Sequence, residues 1–161
     1  MLYSPTPAQA RTLSTEQLRE HFLVAGLFHP GAVTLRVLDL DRVVLGGAVP
    51  TTAPLRLEAI EHLRAEYFCE RREVGVLNVG GAGRVTVDGT THAVRKLDVL
   101  YVGRGSREVV FESDDAASPA RFYLVSYPAH AAHPTTLVRA EQAQGATIGA
   151  VETANRRTVY R

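Results

Sequence analysis

The stretch from Tyr67 to Ser113, YFCERREVGVLNVGGAGRVTVDGTTHAVRKLDVLYVGRGSREVVFES, holds most of the side chains in this sequence that could do chemistry. Glu70, Arg71, Arg72 and Glu73 are its densest charged group. An arginine fork there would suit a carboxylate, because parallel N–H donors match the two carboxylate oxygens. Arg71 and Arg72 are therefore the substrate-binding candidates. Consecutive strand residues point to opposite faces, so at most two of the four should reach one site, and ion pairs at a domain or subunit boundary are the default expectation. His92 and Glu108 are the candidates for catalytic groups. A base needs partners, however, and His92 alone reads as a hydrogen-bonded core histidine.

Other constellations are weaker. His130 and His133 are bracketed by Pro128 and Pro134, which argues for a stiffened crossing segment rather than a helix that would align them. His21, His29 and His62 fall in the expected helix or in connections and suggest nothing. Gly80-Gly81-Ala82-Gly83 lacks a following Lys-Ser/Thr and precedes a strand, so it reads as a tight β-turn, not a phosphate loop.

The elements that must position these residues are mostly short strands. Runs rich in Val, Leu and Thr, punctuated by Gly, Pro or Asp, mark an all-β sandwich or barrel. Strands are expected at 34–38, 42–45, 55–59, 66–69, 73–78, 84–87, 91–94, 99–102, 108–111, 121–127 and 147–151. Asp88-Gly89 is the clearest signal: both residues of a type I′ turn need positive φ, and this pair supplies it. That turn sets Thr90 opposite Val87 and His92 opposite Val85, so His92 should face the lumen if the valines do. One helix is expected, opened by a capping box of Ser14 and Gln17, carrying Leu18 and Phe22 on one face and ended by Gly26.

Length and composition bound the rest. The chain has 161 residues, one domain's worth, and a formal net charge of +1, which implies neither nucleic acid nor an anionic membrane as partner. The single cysteine, Cys69, excludes an intrachain disulfide framework. Residues 1–13 lack a secretory pattern, and the best apolar run, Val43 to Val49, is far too short to span a bilayer. A cytoplasmic protein is expected. The ending ANRRTVYR places Val159 and Tyr160 in a strand pattern with no cap, as if the chain once continued.

The Tyr67–Ser113 spacing resembles the two cupin motifs, G-x5-H-x-H-x3,4-E-x6-G and G-x5-P-x-G-x2-H-x3-N. The first-motif glutamate falls on Glu73 and its histidines on Tyr67 and Cys69. The second-motif histidine falls on Glu108, with Asp98 beside the opening glycine position. The resemblance implies a cupin-type double-stranded β-helix, or jelly-roll barrel, with a short N-terminal α-helix. Three of four metal ligands are replaced, and Cys69, Glu73 and Glu108 would be a substitute of mixed softness, so no metal is expected on this chain.

A narrower resemblance rests on YFCERREVGVLNVGGAGRVTVDG, DVLYVGRGSREVVFES, PAHAAHPT, NRRT and DRVVLGGAVP. Together these are similar to the N-terminal half of the 5-keto-4-deoxyuronate isomerase family, over about residues 18–158. The resemblance implies a ketol-isomerase of pectin and uronate catabolism. It would convert 4-deoxy-L-threo-5-hexosulose uronate, a small acidic sugar, to 3-deoxy-D-glycero-2,5-hexodiulosonate. It further implies a two-cupin homo-oligomer, usually a hexamer, whose zinc is held by an H-x-H-x4-E motif and a later histidine in the second cupin, none of which is in this sequence. The expected organisation is an arm with a helix over 1–30, a cupin barrel over 31–138, and an extension toward the second cupin over 139–161, with Arg156-Arg157 in an interdomain role. Two alternatives stand beside it: a non-catalytic single cupin that binds an acidic sugar or serves as a structural or oligomerisation module, and a metal-independent isomerase using His92 and Glu108.

Overall fold

The computed structural model describes residues 2–160. Two α-helices, α1 (Pro7–Ala10) and α2 (Thr15–Phe22), precede the strands. Ser14 caps α2 as the sequence predicts: its hydroxyl accepts from Gln17 N at 3.3 Å, and its amide donates to the Gln17 side chain at 2.9 Å. The helix ends at Phe22, four residues before the expected Gly26, because Leu23 turns to extended backbone.

Twelve strands follow: β1 (Val33–Val37), β2 (Val44–Ala48), β3 (Leu55–Arg56), β4 (Arg72–Asn78), β5 (Gly83–Val87), β6 (Thr90–Val94), β7 (Val99–Val102), β8 (Val109–Ser113), β9 (Phe122–Pro128), β10 (Thr136–Val138), β11 (Gly145–Ile148) and β12 (Arg157–Tyr160). All pairings between them are antiparallel. They form a six-stranded sheet in the order β1-β2-β9-β4-β7-β10, a four-stranded sheet in the order β3-β8-β5-β6, and a separate β11-β12 hairpin. This is the jelly-roll arrangement of a cupin, with the inner faces of the two large sheets making one core.

Period-two alternation builds that core. Val74, Val76, Val85, Val87, Leu100, Val102, Val109, Phe111, Phe122 and Leu124 all turn inward and are buried. Phe111 and Phe122, one from each large sheet, meet with ring centroids 5.3 Å apart and tie the sheets together. The Asp88-Gly89 turn has φ of 47° and 83°, and Val87 opposes Thr90 while Val85 opposes His92, the predicted register. At the far end of the barrel Asn78 is fully buried, yet its amide donates to Gly81 and Val94 carbonyls and its oxygen accepts from Gly80 and Arg121 amides.

Several strand expectations differ from the structure: the strand expected at 42–45 starts at Val44, and the one expected at 147–151 ends at Ile148. Glu66–Cys69 is not a strand: Phe68–Glu70 is a 3₁₀ turn, held by the Glu70 carboxylate accepting from Glu66 N at 2.7 Å and by Gly105 N donating to the Cys69 carbonyl at 2.8 Å. The 55–59 strand shrinks to Leu55–Arg56, since only two of its residues find partners on β8. Conversely β10, where no strand is expected from the sequence, pairs with the edge of β7 through Leu137 and Leu100.

Candidate functional site

The cupin ligand positions decide whether this barrel can hold zinc. Cys69 is buried in the 3₁₀ turn. Burial pushes its thiol up to about 12, only partly offset by Arg72, so it carries no charge at neutral pH. Glu73 lies on the opposite side of β4 from the core, where its carboxylate accepts from the Tyr101 hydroxyl at 2.8 Å. Burial and this bond push the Tyr101 hydroxyl up to about 12. Glu108 pairs with Arg56 at 2.6 Å. Tyr67 has the Arg107 guanidinium 4.8 Å from its ring centroid. Among the described residues no three His, Cys, Asp or Glu side chains gather as a metal site. Zinc needs several unengaged N, S or O donors converging on one point, and these residues do not fit it.

The two catalytic candidates are not brought together. His92 shares the inward side of β6 with Val94, but it stands on the edge strand and is half-buried. Glu108 lies just before β8, beside Asp88, whose carboxylate accepts from its amide at 2.8 Å. Strand β5 runs between β6 and β8, which separates them by about two strand spacings, roughly 10 Å. No hydrogen bond can link a base and an acid across that gap.

The arginines behave differently. Because β4 begins only at Arg72, Arg71 remains in the turn, and consecutive residues line one cleft. This cleft of about 290 Å³ is bounded by Val37, Arg42, Leu63, Phe68, Arg71 and Arg72, with His62, Ala65 and Pro128 completing it. Arg72 is buried at its floor, while Arg42, His62 and Arg71 are exposed around it.

Backbone carbonyls aim the guanidiniums. Arg72 donates from Nε to the Ser126 hydroxyl at 3.1 Å, and from Nη2 to the Ser126 and Arg42 carbonyls, each at 2.8 Å. Arg71 donates to the carbonyls of Arg64 and, at 3.4 Å, Leu63. Arg42 and Arg64, which supply two of these acceptors, both have left-handed backbones, with φ of 54° and 45°. Such conformations are costly for non-glycine residues and persist where surrounding structure imposes them. Burial lowers the Arg72 pKa, with Cys69 opposing and the charge of Arg42 reinforcing the effect; a guanidinium nonetheless stays ionised.

The expectation of ion pairs for 70–73 holds only in part. Arg71 lies 3.6 Å from Glu70, but Arg72 bonds to neutral acceptors alone. Sequence reasoning missed Arg42 and set His62 aside. The acidic turn sequence Asp39-Leu40-Asp41 ahead of Arg42 was the one local signal that the chain bends there.

The profile of the KduI/IolB family matches residues 28–161, most of the chain. The chain belongs to the KduI/IolB family. A protein from Formosa agariphila named 4-deoxy-L-threo-5-hexosulose-uronate ketol-isomerase is 48% identical over 98% of this chain and 56% of its own length. One of the same name from Halalkalibacterium halodurans is 43% identical over 99% of this chain and 58% of its own. The chain thus spans little more than half the length of these relatives. Among solved structures it is similar to a cupin protein from Bacteroides fragilis, at 15% identity and a TM-score of 0.42 over 70% of this chain and 89% of that one. The segment matching the KduI/IolB family contains the whole barrel, the arginine cleft and the β11-β12 hairpin, and leaves out α1 and α2.

Proposed function

We propose that this chain contributes the first of two cupins to a 4-deoxy-L-threo-5-hexosulose-uronate ketol-isomerase, which converts that sugar acid to 3-deoxy-D-glycero-2,5-hexodiulosonate. The observation carrying this reading is the 48% identity, over nearly the whole chain, to a protein so named. Ketol isomerisation moves a proton between adjacent carbons and stabilises an enediolate oxygen, which calls for a base together with a metal or cation. The base and the zinc belong to the second cupin. The barrel of this chain serves as scaffold and subunit interface in a cytoplasmic homo-oligomer, a hexamer by family resemblance.

The organisation follows the strands. On this reading residues 1–30 are the arm, 31–138 the barrel, and 139–161 the extension that leads into the second cupin and carries the exposed β11-β12 hairpin.

Turnover separates this reading from its rivals. The chain, alone and joined to the C-terminal remainder of the Formosa agariphila relative, is incubated with substrate and zinc and followed by proton NMR. The joined protein is expected to form the 2,5-diketo product and the chain alone to form none. Product from the chain alone, or a folded joined protein with no turnover, would reject the reading.

A further inference from the structure

Arg72 is a buried cation without an anion. The residue is only 7% exposed, and among the described residues no carboxylate oxygen lies within 4 Å of its guanidinium nitrogens. Burying a charge is expensive unless an opposite charge balances it. The adjacent Cys69 cannot supply one, because its thiol is protonated. Arg42 and Arg71 add two more guanidiniums to the same cleft, and no aspartate or glutamate lines it. Of the three arginines Glu70 reaches Arg71 alone, at 3.6 Å, and its carboxylate is also engaged by the Glu66 amide.

We infer that the Arg42–Arg71–Arg72 cleft binds the carboxylate of a small hydroxy acid of sugar size. Its floor presents a guanidinium already oriented by Ser126 and Arg42, so little freedom is lost when an anion docks. Arg42 and Arg71 stand exposed at the rim and add positive charge to the same cleft. Val37, Leu63, Phe68 and Pro128 supply an apolar wall suited to the C–H face of a sugar ring. The volume of about 290 Å³ lies just below the range of ligand sites, roughly 300 to 1,000 Å³, which suits a small ligand. A carboxylate fits better than a lone inorganic ion, because the apolar wall would leave half of such an ion without a partner. The cleft's own charge and shape carry this inference, so it stands or falls apart from the isomerase reading.

Calorimetric titration of the chain at constant ionic strength tests it, with D-galacturonate, neutral D-galactose and inorganic phosphate as probes. Saturable binding of galacturonate is expected, with galactose and phosphate each at least about tenfold weaker. Arg42→Gln and Arg71→Gln, made singly because a change at buried Arg72 endangers folding, should each weaken galacturonate binding by about threefold or more while the melting temperature holds. No binding of galacturonate, equal binding of galactose, tighter binding of phosphate, or affinity unchanged in both folded variants would overturn it.

Discussion

Arg72 and Ser126 close the cleft end of the barrel as a pair. The guanidinium reaches both the hydroxyl and the carbonyl of Ser126, and that hydroxyl donates onward to the Glu73 carbonyl at 2.5 Å. Both residues are buried, so water replaces none of these bonds if they break. Ser126→Ala should therefore lower stability by about 1–3 kcal/mol, the cost of stranding a buried charged donor. Urea denaturation checks this, and an unchanged midpoint would show that the pair contributes nothing.

Asp98 ties the tail to the barrel. Its buried carboxylate accepts from Arg139 Nη1, Ala140 N and Arg95 N, each at 2.9 Å. Burial alone would raise its pKa, but the three donors outweigh it and hold the value below normal. A carboxyl depressed in the folded state stabilises above the unfolded value of about 3.9, and that contribution is lost as pH falls through the folded value. Asp98→Asn should thus destabilise the protein at pH 7, and the gap from wild type should narrow below about pH 4. Urea midpoints measured from pH 7 to 3 would contradict this by staying a constant distance apart.

Gly103, just after β7, and Gly75, on the neighbouring β4, should respond to alanine very differently in size. A Cβ on Gly103 would meet the His133 carbonyl oxygen at 1.9 Å, a clash that only backbone movement relieves. On Gly75 it would meet Val125 Cγ1 at 3.4 Å, an ordinary contact. Gly103→Ala should cost about 3 kcal/mol or more, and Gly75→Ala less than about 1 kcal/mol, since it also restricts the unfolded chain. Comparable losses in thermal melts would mean that the crossing segment at His133 is not packed on the barrel.

The Asp88-Gly89 turn, the alternating valines and the Ser14 cap are local, and each was legible because its cause lies within a few residues. β10 was not legible: its three residues carry little signal of their own, and their pairing with β7 spans a long separation in sequence. Tyr67 to Cys69 has strand-like composition, yet the Glu70 carboxylate and the Gly105 amide fold it into a turn. That change puts Arg71 beside Arg72 in one cleft, where strand alternation would have set them apart. Arg42 joins them only through the left-handed bend at Asp41 and Arg42, which no nearby glycine announces.

Cys69 gives a simple probe of the packed lumen. A protonated, buried thiol is a poor nucleophile, so a disulfide reagent at pH 8 should leave it untouched in the native protein and modify it fully in denaturant. Rapid modification of the folded chain would indicate an open, solvated interior.

On the proposed division of labour this barrel supports chemistry carried out in the second cupin, and its own cupin ligand positions take no part in it. The most direct measurement is turnover by the joined two-cupin protein carrying Cys69→Ala, Glu73→Gln and Glu108→Gln together. A kcat within about threefold of the unmodified protein is expected, because the Glu73 and Glu108 carboxylates bond to Tyr101 and Arg56 and Cys69 packs in the core. A folded triple variant whose kcat falls by more than about a hundredfold would place the reaction in this barrel and contradict it.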